Sequence, residues 1–305
     1  MFILIFNQLV KMLIILLIGI LCIKIGIVSQ EGTRTVSNLL LLLVNPLLII
    51  RVYQTDYDPV LVKGLLLSFV AALVSQLIAI LVSSFLLRGK SDPDACIDRF
   101  AAAYSNCGFI GIPLINSVLG SEGVFYLTAY MTIFNIITWT HGLSLMKGHF
   151  DLKMLREGLQ TPMVIGTLIA MILFFAQIRI PDTIAASINY IADMNTPLAM
   201  MIAGFSVANS DIKKICTNLQ IYKDALIKLI VVPLAVLVFL RLAPFNQTIA
   251  YTILIASACP TATTLTMMSI RFDQNAEYAS EIFSFTTVMS ILTIPFIMFI
   301  AGYIL

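Results

Sequence analysis

Charge is what this sequence has least of. Lys, Arg, Asp and Glu make up 11% of its 305 residues, against 60% hydrophobic, and the mean hydropathy is +1.00. Soluble domains carry about 25% charged and roughly 45–50% apolar residues, so this composition excludes a soluble globular protein. Histidine is scarce, and His141 and His149 match no metal motif. The five cysteines (Cys22, Cys96, Cys107, Cys216, Cys259) are odd in number, scattered, and form no CxxC, which removes a disulfide framework and a zinc site. HExxH and GxSxG are missing, as is any nucleotide-binding motif, so no enzyme, metal or cofactor is expected. The net charge of +2 comes without a basic cluster interleaved with aromatics, which leaves no footprint for nucleic acid. The first apolar stretch outruns a signal-peptide core and lacks a small-residue cleavage site, so it is expected to stay as a span.

Apolar length is what the chain has in abundance. Ten segments can cross a hydrocarbon core, at about 6–28, 35–53, 60–87, 96–119, 122–146, 158–177, 183–207, 220–242, 247–270 and 277–303. The joins are short, so residues 1–305 are expected to form one all-α, multi-pass domain whose surroundings are a lipid bilayer. With ten spans the joins alternate sides. One side receives Lys24, Arg34, Arg88, Lys90, Arg99, Lys147, Lys153, Arg156, Lys213, Lys214, Lys223, Lys228 and Arg271; the other receives Lys11, Arg51, Lys63, Arg179 and Arg241. The richer side is expected to be cytoplasmic, with both termini outside the cell membrane.

Five spans fill residues 1–147, a charged connector occupies 148–157, and five more fill 158–305. An odd number per half makes the second half enter from the opposite side, so a repeat would be inverted. The helix breakers agree with a repeat. Asn45-Pro46 in span 2 matches Asn195-Thr196-Pro197 in span 7, the prolines lying 151 residues apart. Pro113 in span 4 matches Pro260 in span 9 at 147 residues, within "SNCGFIGIP" and "SACPTATTLT". Breaking a helix in hydrocarbon strands backbone groups unless protein or a cavity takes them up. Paired interruptions at corresponding positions of two halves point to a transporter's binding site. If spans 4 and 9 break at mid-membrane, their half-helix N-termini can face each other. Pro113 and Pro260 would then suit the first turn of each second half-helix, and the free N–H groups would favour an anion, a carboxylate above all.

Three stretches carry a family resemblance: "SNCGFIGIPLINSVLGSEGVFYLTAYMTIFNIITWTHG" (105–142), "ADMNTPLAMMIAGFSVA" (192–208) and "IASACPTATTLTMMSIRF" (255–272). They resemble the auxin efflux carrier family, which includes plant auxin exporters and bacterial carriers of malonate, malate and related acids. The resemblance implies ten transmembrane helices as two inverted five-helix repeats with crossed, broken helices 4 and 9. Spans 1, 2, 6 and 7 would form a scaffold, often dimeric, and the others a moving transport domain. It also implies that Asn106 helps bind a carboxylate. In span 9 plant members place an asparagine near the crossover, whereas this chain has Thr261, Thr263 and Thr264, which argues against auxin.

Each candidate has a plainer role beside the functional one. Asn106 could cap the first half-helix; Gly108, Gly111, Pro113 and Pro260 shape backbone and would bind through main-chain groups. Thr261, Thr263 and Thr264 could bond carbonyls freed by Pro260, and Ser105 and Ser257 are weaker candidates still. Asn45 and Asn195 would repair the backbone beside Pro46 and Pro197. Asp193 and Glu281 are candidates for a coupling proton, with an interfacial position the alternative for Glu281. Glu122 suits a helix cap and His141 the headgroup level. The broken segments hold no Asp or Glu, which argues for an anion and against a sodium/proton antiporter. A sodium-coupled anion symporter, with sodium on backbone carbonyls, stays the other reading.

Overall fold

The computed structural model describes residues 2–87, 94–149, 156 and 159–305. Arg88, Lys90, Lys153 and most of the 148–157 connector lie outside the described residues. Among those described the chain is helical throughout, without strands. Seven helical stretches are long and apolar enough to cross a membrane: Phe6–Lys24, Glu31–Tyr53, Pro59–Leu86, Cys107–Lys147, Asp182–Ala208, Leu219–Leu242 and Ala276–Ile304. Two shorter apolar helices, Pro162–Phe175 and Gln247–Ala258, accompany them. Cys107–Lys147 has 41 residues, twice the length one crossing needs. Inside it Gly120 takes φ 67° and ψ −161°, a backbone only glycine adopts cheaply, and divides the stretch.

Short polar joins start the helices. The side chains of Ser29, Asp58, Asp211, Asn246 and Asn275 each accept a hydrogen bond from a first-turn N–H, and Pro59 follows Asp58 at the first helical position. Outward-facing positions are apolar, with Leu81, Phe85, Val238 and Leu292 all exposed. Such a surface would aggregate in water and is what lipid requires.

Prolines leave a regular signature. Wide π-turns occupy Leu40–Val44, Cys107–Gly111, Thr138–Gly142 and Ile227–Val231, and all but Thr138–Gly142 end two residues before a proline: Pro46, Pro113 and Pro233. A proline ring collides with the carbonyl four residues back and offers it no N–H. Shifting that turn to i→i+5 bonding relieves both defects without ending the helix. Pro197 needs no such turn, because helix Asn195–Ala208 starts afresh two residues before it.

The first helix (α1, Phe2–Lys24) packs against Asn195–Ala208 with no side chain between backbones. A Cβ on Gly204 would lie 2.1 Å from the Leu16 carbonyl oxygen, and one on Gly19 would lie 2.5 Å from that of Met201. Small residues at such crossings let membrane helices approach closely where no hydrophobic drive exists. Nearby, Asn195 Nδ2 donates to Asn45 Oδ1 at 2.7 Å, and both residues are buried. Gly166 makes room for Pro46, whose Cβ would be 3.0 Å from an added methyl.

Candidate functional site

Helix Ala95–Ala103 ends at Tyr104, whose backbone is extended (φ −106°, ψ 128°); the chain restarts as the π-turn at Cys107. Helix Gln247–Ala258 ends at Cys259 (φ −58°, ψ 149°) and restarts at Thr264. Between these ends the two extended segments meet as an antiparallel bridge, Ser105 opposite Thr261. Asn106 N–H donates to the Pro260 carbonyl at 2.7 Å, and Ala262 N–H to that of Tyr104 at 3.0 Å. Each break therefore satisfies backbone groups the other exposes, which is how non-helical chain survives at membrane depth.

Three further carbonyls of the ending helices are also taken. Thr261 Oγ1 donates to Ala101 O (3.0 Å), Gln76 Nε2 to Ala103 O (3.1 Å), and Ser105 Oγ to Ser257 O (3.1 Å). The restarting helices are treated differently. No side chain caps the start at Cys107 or at Thr264. First-turn N–H groups lack intrahelical partners and carry the positive end of the helix dipole. With the negative ends tied down and the positive ends open, the crossing has a net preference for an anion.

A cavity of about 240 Å³ lies at those open ends, lined by Asn45, Ser105, Asn106, Gly108, Thr263, Thr264, Met131, Phe134 and Trp139 among others, with no Asp or Glu among its described lining. Asn106 is 3% exposed and its Nδ2 has no hydrogen-bond partner. Thr264 Oγ1 and Asn45 Nδ2 are likewise unpartnered. Three polar groups thus wait on one cavity, in a protein where buried polar groups are nearly always bonded.

The expected residues divide. Asn106, Gly108, Thr263 and Thr264 line the cavity, and Asn45, read from sequence as a backbone repair, joins them. Thr261 does not: its N–H donates to Thr286 Oγ1 and its hydroxyl to Ala101 O. Gly111 packs between Cys107 and Cys259, 3.3 and 3.4 Å from an added methyl. Pro113 and Pro260 are expected in the first turn of the restarting helices; Pro113 is the second residue of the α-helix Ile112–Ile137, which follows the π-turn, and Pro260 is in no helix. Pro113 lies six residues past the restart at Cys107, and Pro260 precedes Thr264 within the bridge. A proline in the first turn would have spared an N–H; here the glycine-rich π-turn starts the first restart and extended chain precedes the second. Pro46 and Pro197 stay outside the cavity.

Asp193 lies within the span Asp182–Ala208, at the end of helix Asp182–Asp193, and pairs with Arg51 at 2.6 Å. Glu281 is 4% exposed, with Oε1 unpartnered. It borders a second hollow of about 280 Å³ with Asp94, Lys214 and Glu277. There Lys214 donates to Glu277 at 2.7 Å, and this carboxylate holds the lysine amine above its usual range. The acidic lining disfavours an anion in that hollow.

Lys228 corrects the charge sorting. It was assigned to a cytoplasmic join, yet it is fully buried in the π-turn Ile227–Val231, its ammonium bonded to Ser105 Oγ (2.5 Å) and Ser257 O (3.4 Å). Its removal leaves twelve basic residues against five. The signal was present: "ALIKLIVV" surrounds a lysine with apolar residues, and a charge within a span is by default functional.

The membrane transport protein family matches the chain twice, over residues 4–151 and 149–298. The chain belongs to this family, that of the auxin efflux carriers, and is a multi-pass membrane transporter rather than an enzyme. It is similar to an uncharacterized transporter of Methanothermobacter thermautotrophicus, 23% identical over 93% of this chain and 94% of that protein. It is also similar to the uncharacterized transporter YfdV of Escherichia coli, 25% identical over 60% of this chain and 61% of that one.

Proposed function

We propose that the protein is a secondary carrier that moves a small mono- or dicarboxylate across the cell membrane by alternating access. One observation carries the reading: two uncapped helix starts and the unpartnered Asn106 amide share a cavity whose described lining holds no carboxylate. The anion would rest on the main-chain N–H groups after each break, oriented by Asn106. The ten-span, inverted-repeat architecture belongs to the same reading. It is supported by two successive family matches, by the division at Gly120, and by the pairing of Asn45 with Asn195. Spans 1, 2, 6 and 7 would be the scaffold, closed by the Gly19–Gly204 contact and joined to a second copy as a homodimer. Both termini would lie outside the cell, a sorting that twelve basic residues against five still favours. Of the two acids considered for coupling, Glu281 suits a proton better, since Asp193 is held by Arg51.

The test is thermal stabilisation of the purified protein by acetate, malonate and malate, with and without sodium. Stabilisation by one acid, independent of sodium and weakened at least tenfold in Asn106→Ala, is the expected result. An Asn106→Ala protein that melts normally and binds with unchanged affinity would remove the site. Stabilisation only with sodium would favour a sodium-coupled symporter.

A further inference from the structure

We propose that Lys228, held in place by Ser105, supplies the charge by which the crossed breaks distinguish an anion from a neutral molecule. The inference rests on the carboxylate reading above and adds to it a residue that lines no part of the cavity.

The lysine is fully buried and belongs to no ion pair among the described residues. Its ammonium reaches both breaks at once, Ser105 in the first and the Ser257 carbonyl in the second. The titratable groups facing it are two thiols, Cys107 and Cys259, one from each break. Asp224, one helical turn earlier, accepts instead from Gln220 Nε2 at 2.7 Å and from the Tyr278 hydroxyl at 3.2 Å. A cation placed in a membrane interior without an anion is costly.

A purely structural role would be to tie a carbonyl freed by the break. The first half performs that task without charge. Gln76, 152 residues before Lys228, donates to Ala103 O, 154 residues before Ser257. The corresponding position therefore shows that an amide suffices to hold a break. What lysine adds is a positive charge, and Ser105 holds it against the cavity wall. That serine accepts from Lys228 and borders the cavity beside Asn106. Its single proton is spent on the Ser257 carbonyl, so Ser105 acts by fixing the ammonium in place, and a fixed charge one residue behind the cavity wall acts in a low dielectric where it is little screened. Lys228 is thus a positioning residue for charge, set behind the wall that Ser105 and Asn106 form.

The experiment compares equilibrium binding of acetate, malonate and malate with that of their uncharged amides, in the wild-type protein, Lys228→Gln, Lys228→Arg and Ser105→Ala. The expected result is that Lys228→Gln lowers the acid's affinity at least tenfold while leaving the amide's unchanged. Lys228→Arg should keep the wild-type preference, and Ser105→Ala should lose most of it. A structural role would move acid and amide together. A folded Lys228→Gln protein with the wild-type acid-to-amide ratio overturns the inference and leaves the carboxylate reading intact. Should Lys228→Gln not fold, an unchanged ratio in Ser105→Ala overturns it equally. Failure of the wild-type protein to bind any of the acids overturns the carboxylate reading, and this inference with it.

Discussion

The two halves of the chain meet in two ways. Away from the bridge, like meets like: Asn45 faces Asn195, and Gly19 of the first half faces Gly204 of the second. Where the breaks cross, the partners differ: a glycine-rich restart stands against a threonine-rich one, and Gln76 against Lys228. A repeat that only needed to fold could keep both contacts symmetric. Departure from symmetry is concentrated around the cavity, which is where a ligand with one charged end would require it.

The largest effect should come from breaking the glycine contact between the halves. Gly204→Leu sets a side chain where the backbone of α1 already lies, 2.1 Å from its Cβ, and neither helix backbone can yield cheaply. A loss of about 4 kcal/mol or more is expected, read as aggregation or loss of a single peak in detergent chromatography. A well-behaved Gly204→Leu protein would show that the first helix does not pack there.

Next in size is erasing the asymmetry at the breaks. Gln76→Lys would put a second cation behind the crossing, where the bond now made is to the Ala103 carbonyl alone. An uncompensated buried charge costs about 3 kcal/mol, so the melting temperature should fall by several degrees. If Gln76→Lys is instead neutral, position 76 tolerates charge, and the contrast with position 228 loses its meaning.

A smaller loss is expected at the asparagine pair. Asn195→Ala removes the donor to Asn45 Oδ1 and leaves that oxygen buried, at a cost of about 1–3 kcal/mol. Because Asn45 also borders the cavity, its amide is released to turn, and ligand affinity should change together with stability. Stability lost without any change in affinity would confine Asn45 to the scaffold.

The sequence made the breaks legible because glycine and proline within an apolar run have few physical explanations. The matching of Pro46 with Pro197 and Pro113 with Pro260 located both. It did not tell which side chains face the cavity. Thr261 sits in the bridge and turns its hydroxyl to the Ala101 carbonyl, whereas Thr263, already in helical backbone (φ −58°, ψ −25°), and Thr264 line the hollow, a division that the run of threonines does not show. Lys228 was misassigned because every basic residue was counted towards a join, including this one, which the span at 220–242 already enclosed. The partner of Asp193, Arg51, is 142 residues distant and invisible to any local pattern.

The difference between Gln76 and Lys228 extends to the helices that carry them, and this gives the smallest and most specific test. Gln76 stands in an uninterrupted helix, Pro59–Leu86, whereas Lys228 stands in a π-turn ending two residues before Pro233. A π-turn inserts an extra residue and so rotates the helix on its N-terminal side relative to the helix on its C-terminal side. Without it, a lysine at this position would point away from Ser105. Pro233→Ala restores an N–H and removes the ring that forces the wide turn, so stability should change by less than about 1 kcal/mol. Anion affinity should nevertheless fall several-fold, since the helix is then free to relax to regular α and carry the ammonium off Ser105. The affinity of an uncharged amide should stay as it was. If Pro233→Ala binds the acid as tightly as the wild-type protein, surrounding side chains alone hold the π-turn, and the proline does not aim the charge.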